Sequence, residues 1–278
     1  MANTGRIRVG IGGWSYEPWR ETFYPDTLPS REELHYASRR LTAIEINSTF
    51  YRAPGPEVYE RWRSETPDGF MFSLKAPRYI THRKVLAEAG DSVARFLEGA
   101  GRLGDRLGPV VWQLPPSKRF DTQDLSAFLA LLPEQVAGLR LRHVVEARHD
   151  SFRVPEFLSL VRSRGVAVVY TDSPDYPNFA DLSGDFVYAR LMCSQPDLPT
   201  GYPDEDLDLW LDRARLWAQG QVAADLPRID TTQDTGAAPR DVFIYFINGA
   251  KENAPGAAGA LLHRLGVLDA QGQVAALP

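Results

Sequence analysis

Short apolar runs bounded by Gly, Pro and Asp recur along the chain, and most are separated by stretches whose apolar residues return with helical period. The runs predict strands at residues 6–12, 42–47, 70–75, 108–114, 142–148, 166–171, 186–192 and 241–247. The periodic stretches predict helices at 30–39, 56–65, 91–103, 121–131, 155–164, 206–219 and 257–265. Helix starts have recognisable chemistry. Ser30 with Glu33 three residues on forms a capping box, Asp121 is an acidic cap, and Pro155 sits at a first helical position. Residues 172–184, DSPDYPNFADLSG, predict a loop where a sixth helix would stand. Residues 221–240, rich in Ala, Pro, Thr and Asp, predict a flexible connection before the last strand. Eight strands, most with a following helix, predict an α/β fold: a single-domain (β/α)₈ TIM-like barrel over residues 1–278, irregular after strand six.

Composition agrees with that picture. A length of 278 residues commonly fills one such barrel, and 44% hydrophobic against 24% charged residues supports a sizeable core. The formal net charge of −5 gives no global attraction for nucleic acid or an anionic membrane. One cysteine, Cys193, excludes an intramolecular disulfide and a multi-cysteine metal site. The N-terminal residues lack the apolar core of a signal peptide, and no run approaches the roughly twenty apolar residues that span a bilayer. A soluble, cytoplasmic protein without membrane contact is expected.

Polar residues concentrate at the strand ends. In a barrel, alternate strand residues point inward and chemistry gathers at the C-terminal mouth, so parity selects candidates. It groups Glu45 with Asn47, Ser73 with Lys75, Glu146 with Arg148, Tyr170 with Asp172 and Tyr188 with Arg190. Gln113, His149, Tyr245 and Asn248 join them at the ends of other strands. An unpaired buried charge is costly, so these residues form either a neutralised ionic plug or a binding site. The whole set at one mouth favours a site.

The segments GIGGWSYEPWRETFYP (10–25), AIEINSTFYRAPGPEVYERWRSETPDGFMFSLKAPRYITH (43–82), LGPVVWQLPP (107–116) and VVEARHDSF (144–152) together resemble the DUF72, or YecE-like, family. FVYAR and FIYFINGAKENAPGAAGALL fit it more loosely. The resemblance runs in order from about residue 6 to 265 and implies a TIM-like barrel with a large cleft at its mouth. It carries no settled chemistry. The family-like polar positions are Glu45, Asn47, Tyr51, Arg52, Lys75, Thr81, His82, Gln113, Glu146, Arg148 and His149. Two places depart from the family pattern. LMCSQ follows Arg190 where a His-Gly ending is common, and Phe246-Ile247-Asn248-Gly249 stands where Phe-Asn-Asn is frequent.

Several chemistries compete for this mouth. The glycines at 10–13 do not make a dinucleotide turn, because Ser15 holds the third glycine position and no helix follows. A glycosidase would need Glu45 and Glu146 to converge from nearly opposite strands. A metal-dependent hydrolase or isomerase would draw on His82, Glu146, His149 and Asp172, but no HxH or HExxH spacing groups them, and three basic residues stand nearby. No cofactor is evident.

A metal-free acid/base site fits the charges better. Lys75, Arg148 and Arg190 would clamp a carboxylate or phosphate, or the site would take a sugar-like ligand. Glu45 or Glu146 would act as base and His149 or His82 as acid, with Lys75 a further catalytic candidate. Asn47, Tyr51, His82, Gln113, Asp172, Arg190 and Asn248 would bind substrate, with Trp14, Ser15 and Tyr16 as the pocket wall. Phe23 and Tyr24 would plug the core. The rival from another class is a non-catalytic binder of a nucleotide or single-stranded nucleic acid, using the aromatic and basic residues around Trp14–Phe23 and Phe50–Arg52.

Overall fold

The computed structural model describes residues 4–20, 22–232 and 238–275. Residues 233–237 of the expected connection, and Glu21 of the opening stretch, lie outside the described residues. The strands are β1 (Ile7–Gly12), β2 (Ala43–Ile46), β3 (Met71–Lys75), β4 (Leu107–Gln113), β5 (Gln135–Val136), β6 (Leu139–Arg140), β7 (His143–Glu146), β8 (Ala167–Thr171), β9 (Phe186–Leu191) and β10 (Asp241–Phe246). The α-helices are α1 (Glu33–Ala37), α2 (Pro56–Glu65), α3 (Arg78–Thr81), α4 (Gly90–Ala100), α5 (Thr122–Ala130), α6 (Pro155–Ser163), α7 (Asp204–Ala218) and α8 (Ala254–Leu265). Eight strands close in the order β1-β10-β9-β8-β7-β4-β3-β2, and every pairing in the barrel is parallel. The predicted (β/α)₈ barrel is therefore the fold, and each predicted strand is one of its staves.

Two layers of apolar packing hold it. Inside the barrel, Ala43, Val111, Val144, Ala167, Val169, Phe186, Phe243 and their neighbours fill the lower half. Between strands and helices lies a larger core that includes Phe72, Trp112, Phe128, Phe157 and Trp217. The barrel floor is closed by charge. Arg142 pairs with Asp241 at 2.8 Å, and the Arg8 and Arg142 guanidiniums lie over Phe243.

Local chemistry explains most element ends. The Asp121 side chain accepts the Asp124 N–H as a true N-cap. Pro155 opens α6, and Gly165, at φ +61°, lets the chain turn into β8 at no steric cost. Residues 172–184 contain no helix, as expected, and Asp181 ties this loop to the Ile229 and Asp230 amides at 2.9 Å each.

Three expectations change. The capping box at Ser30 does not form: residues Ser30–Glu32 make a 3₁₀ turn without a side-chain cap. Glu33 is instead buried and pairs with Arg20 at 2.5 Å, and Ser30 accepts from the same guanidinium. The long-range partner Arg20 outcompetes a local cap. Second, β5 and β6 form a hairpin that periodicity did not signal. Its two-residue turn, Ala137-Gly138, has positive φ at both positions but lacks the Asn-Gly pair that announces such turns. Third, Tyr170 faces outward onto Trp210 and Trp217 of α7, at 5.7 and 6.1 Å between ring centroids. Thr171, not Tyr170, shares the parity of the barrel interior, so the pairing of Tyr170 with Asp172 at the mouth does not hold.

Candidate functional site

Register brings the polar residues to one height. Gly12, Glu45 and Ser73 are in step across β1, β2 and β3, as are Gln113 with Glu146 and Thr171 with Arg190 and Tyr245. Above the apolar filling, this level is occupied by a fork of charge. Arg190 donates from Nε and Nη2 to Glu45, at 3.1 and 3.0 Å, and from Nη1 to Glu146 at 2.7 Å. All three side chains are essentially closed to solvent. Further donors reach the same carboxylates, so each of their oxygens has at least one partner. Tyr188 donates its hydroxyl to Glu45 at 2.7 Å, Gln113 donates to Glu146 at 2.9 Å, and Arg148 donates to Glu146 at 2.7 Å. Beside them, Ser73 and Tyr245 share a hydroxyl–hydroxyl bond of 2.7 Å.

Burial alone would raise the Glu146 carboxyl, but the Arg190 and Arg148 guanidiniums more than offset it and hold it below the ordinary range. Burial would likewise weaken Arg190 as a cation, and its two carboxylates reverse that, raising it. For stability the sign follows from linkage. A carboxyl lowered by folding stabilises the native state above its unfolded value and loses that contribution as pH falls through its folded one. The stability gap between the wild type and Glu146→Gln is therefore expected to be largest near neutrality and to shrink below about pH 4. Urea unfolding at a series of pH values checks this, and a gap independent of pH would contradict it.

Lys75 stands apart from this fork. It ends β3 on the interior side with its ammonium 4.0 Å from the centroid of the Phe50 ring, a cation–π contact. Among the described residues it has no carboxylate within ion-pairing distance. Burial first, then the charge of Arg190, pulls its pKa from 10.5 to about 8, although both carboxylates oppose the change. His82 approaches the same Phe50 ring edge-on at 5.3 Å, and burial together with Lys75 lowers it. Part of its ring remains open to solvent. Arg148 is flanked by Tyr176, 4.1 Å from its ring centroid. Glu45, Lys75, Gln113, Glu146, Arg148 and Arg190 thus meet at the mouth, and His82 borders it.

Other candidates have different surroundings. Asp172, half-buried, accepts the Met192 N–H at 2.5 Å and the Tyr202 hydroxyl at 3.0 Å, tying β8 to the loop after β9. His149 accepts the Ser151 N–H at 3.0 Å through Nδ1 and so caps a short turn. Trp14 packs edge-on against Trp62 at 5.2 Å and near Phe72, in the helix-facing core. Tyr24 donates its hydroxyl to the Trp14 carbonyl and packs at a tilt against Phe23, as the plug reading expects. Tyr16 lies beneath the Lys251 ammonium at 4.3 Å, and Ser15 is exposed. The Asn47 amide crosses Gly12 so closely that a β-carbon there would sit 3.0 Å from it. Tyr51 and Asn248 are exposed.

Of two further contributors, sequence assigns Phe50 only to the nucleic-acid binder and omits Tyr176. Phe50 and Tyr176 supply the aromatic surfaces under Lys75 and Arg148. Phe50 lay within a quoted motif, whereas Tyr176 sits in a loop with no periodicity to read. Among the described residues no cluster of three or more His, Cys, Asp and Glu side chains is placed to hold a metal ion. A broad cavity of about 1060 Å³ lies near the strand starts, between α2 and residues 101–106, but its arginines 63, 102 and 106 are all paired with acids.

The sequence profile described as "protein of unknown function DUF72" matches residues 8–277. The chain belongs to the DUF72 family. Within this family, UPF0759 protein YecE of Escherichia coli O157:H7 is 35% identical over 175 residues, 60% of this chain and 59% of that protein. UPF0759 protein YunF of Bacillus subtilis is 25% identical over 180 residues, 60% of this chain and 61% of that one. The matched part spans about three-fifths of the length of these curated relatives. A DUF72 protein of Thermotoga maritima superposes with a TM-score of 0.68 at 21% identity, covering 94% of this chain and 98% of that one. One of Enterococcus faecalis superposes at 0.69 with 14% identity, covering 95% and 96%. At these identities the DUF72 structures share the fold. No helix among the described residues is long and apolar enough to cross a membrane.

Proposed function

We propose that this DUF72 barrel binds a small anionic ligand, bearing a carboxylate or phosphate, at its mouth and carries out metal-free acid/base chemistry on it. The observation that carries the reading is the charge balance. Glu45 and Glu146 are already neutralised by Arg190 and Arg148, so Lys75 is left as an uncompensated cation above them. A ligand anion supplies the missing charge, with Arg148 as the second clamp. In this reading the two glutamates position the basic residues, because their lone pairs are engaged. Lys75, drawn down to about 8, and the His82 imidazole beside the same Phe50 ring are the groups that move protons.

An unliganded site of this kind costs stability. A lysine whose pKa is lowered by folding destabilises the native state below its folded value, and the penalty fades as pH rises through about 8 towards 10.5. Lys75→Met is therefore expected to stabilise the fold at pH 7, by on the order of 1–3 kcal/mol. The same change should abolish the rise in thermal midpoint that phosphate, malonate or pyruvate gives the wild type. Differential scanning fluorimetry with and without EDTA reads both effects. Loss of stability in Lys75→Met, or EDTA-sensitive ligand effects, would count against the reading.

A second reading has one observation in its favour. Tyr51 and Tyr79 are exposed beside Arg52 and Arg78, an arrangement on which bases stack. Homopolymer binding whose affinity falls steeply with salt would favour this binder over the small-ligand site.

A further inference from the structure

We propose that Lys75 is an imine-forming lysine, and that the ligand class of this mouth is a small carbonyl compound carrying an anionic group, such as a 2-oxo acid or a phosphorylated aldehyde. The inference rests on the proposed anion-binding mouth and adds the covalent step. Three features of geometry carry it. First, among the described residues the Lys75 ammonium has no carboxylate within ion-pairing distance and rests on the Phe50 ring, so its nitrogen is not tied in an ion pair. Second, the arginines at this level are the neighbours that favour an uncharged amine, and Arg148 lies at the mouth to receive the anionic group. Third, His82 shares the Phe50 ring with Lys75, and among the described residues its Nδ1 alone is bonded, to Thr81 at 3.2 Å. Its Nε2 is left to exchange protons with a bound ligand.

The step balances without an oxidant or a metal. The neutral Lys75 amine adds to the carbonyl carbon, and the C–O π bond breaks to give a carbinolamine. His82 accepts a proton from the nitrogen and returns one to the oxygen, which leaves as water. The C=N bond of the imine then forms. Hydrolysis runs the same steps in reverse. The nitrogen is nucleophilic near neutral pH because its pKa is about 8.

The chain has four lysines, which makes the test sharp. Lys118 is paired with Asp124 at 2.6 Å and Lys251 lies over Tyr16, whereas Lys84 is exposed. Wild-type protein is treated with glyoxylate, pyruvate or glyceraldehyde 3-phosphate, each with cyanoborohydride, which reduces an imine to a stable secondary amine. Intact mass and peptide mapping then locate the adduct. The expected result is labelling at Lys75 at least tenfold faster than at Lys84 at pH 7, slowed by excess phosphate. Lys75→Arg, which keeps the charge, should lose the adduct yet still be stabilised by phosphate. Labelling spread over the lysines, or greatest at Lys84, overturns the imine. If phosphate stabilisation of the wild type persists in that case, the anion-binding mouth stands without it. If phosphate stabilisation is also absent, both fall. Because mapping is done on the wild type, a variant that fails to fold does not remove the test.

Discussion

Arg190→Met is expected to lose about 3–5 kcal/mol of stability near neutral pH, because it strands Glu45 and Glu146 as charges inside a closed barrel. Arg190 is 2% exposed and makes three hydrogen bonds to the two carboxylates. Without it, Glu45 keeps only the Tyr188 hydroxyl, while Glu146 keeps Gln113 and Arg148. Glu45 is therefore the carboxylate left with the least compensation, and its stranded charge carries most of the cost. Adding Glu45→Gln should recover part of the loss, since an amide costs less to bury than an unpaired charge. Urea midpoints for the single and double variants at several pH values decide the matter. A cost below about 1 kcal/mol, or no recovery in the double variant, would mean that water reaches the fork and that Arg190 is not its keystone.

How much of this was legible in the sequence depends on the range over which each signal acts. The staves could be read because a parallel strand buried on both faces is a short apolar run, and the mouth because alternate residues on β2, β7 and β9 are charged. Parity thus assigns Arg190 and Glu146 to one mouth. What parity could not supply was pairing. Glu45 and Glu146 read as candidate bases from sequence, and only their shared grip on Arg190 shows that their lone pairs are engaged. Lys75 becomes distinctive for the converse reason: among the described residues, no acid comes within ion-pairing distance of it. Tyr170 and Asp172 misled because β8 ends at Thr171, and Asp172 already belongs to a loop where strand alternation has lapsed. Ser30 misled because a local capping pattern says nothing about a guanidinium ten residues away. Trp14 looked like a pocket wall from its position after β1, but Gly13, at φ +82°, turns the chain so that Trp14 meets α2 instead.

Trp19→Ala is expected to cost about 3–5 kcal/mol, the range for truncating a fully buried large aromatic side chain. Trp19 has no exposed surface, although it lies in a four-residue 3₁₀ turn near the barrel mouth. Its indole Nε1 donates to the Lys251 carbonyl at 2.9 Å, and its ring meets Tyr16 edge-on at 5.4 Å. Its own carbonyl accepts the amides of Phe23 and Tyr24 at 2.8 Å each. One residue therefore joins the loop after β1 to the loop after β10, across the seam where the first and last strands pair. Trp19→Phe separates the two contributions. It keeps most of the apolar volume but leaves the Lys251 carbonyl without its donor, so it should cost about 1–3 kcal/mol. Hydrogen exchange provides the local readout: in Trp19→Ala the amides of Ala250 and Asn253 should lose protection before those of β10, because the loop is freed while the barrel still holds. Equal loss of protection in loop and strand would show that Trp19 acts on the barrel as a whole rather than as a fastener between its two terminal loops.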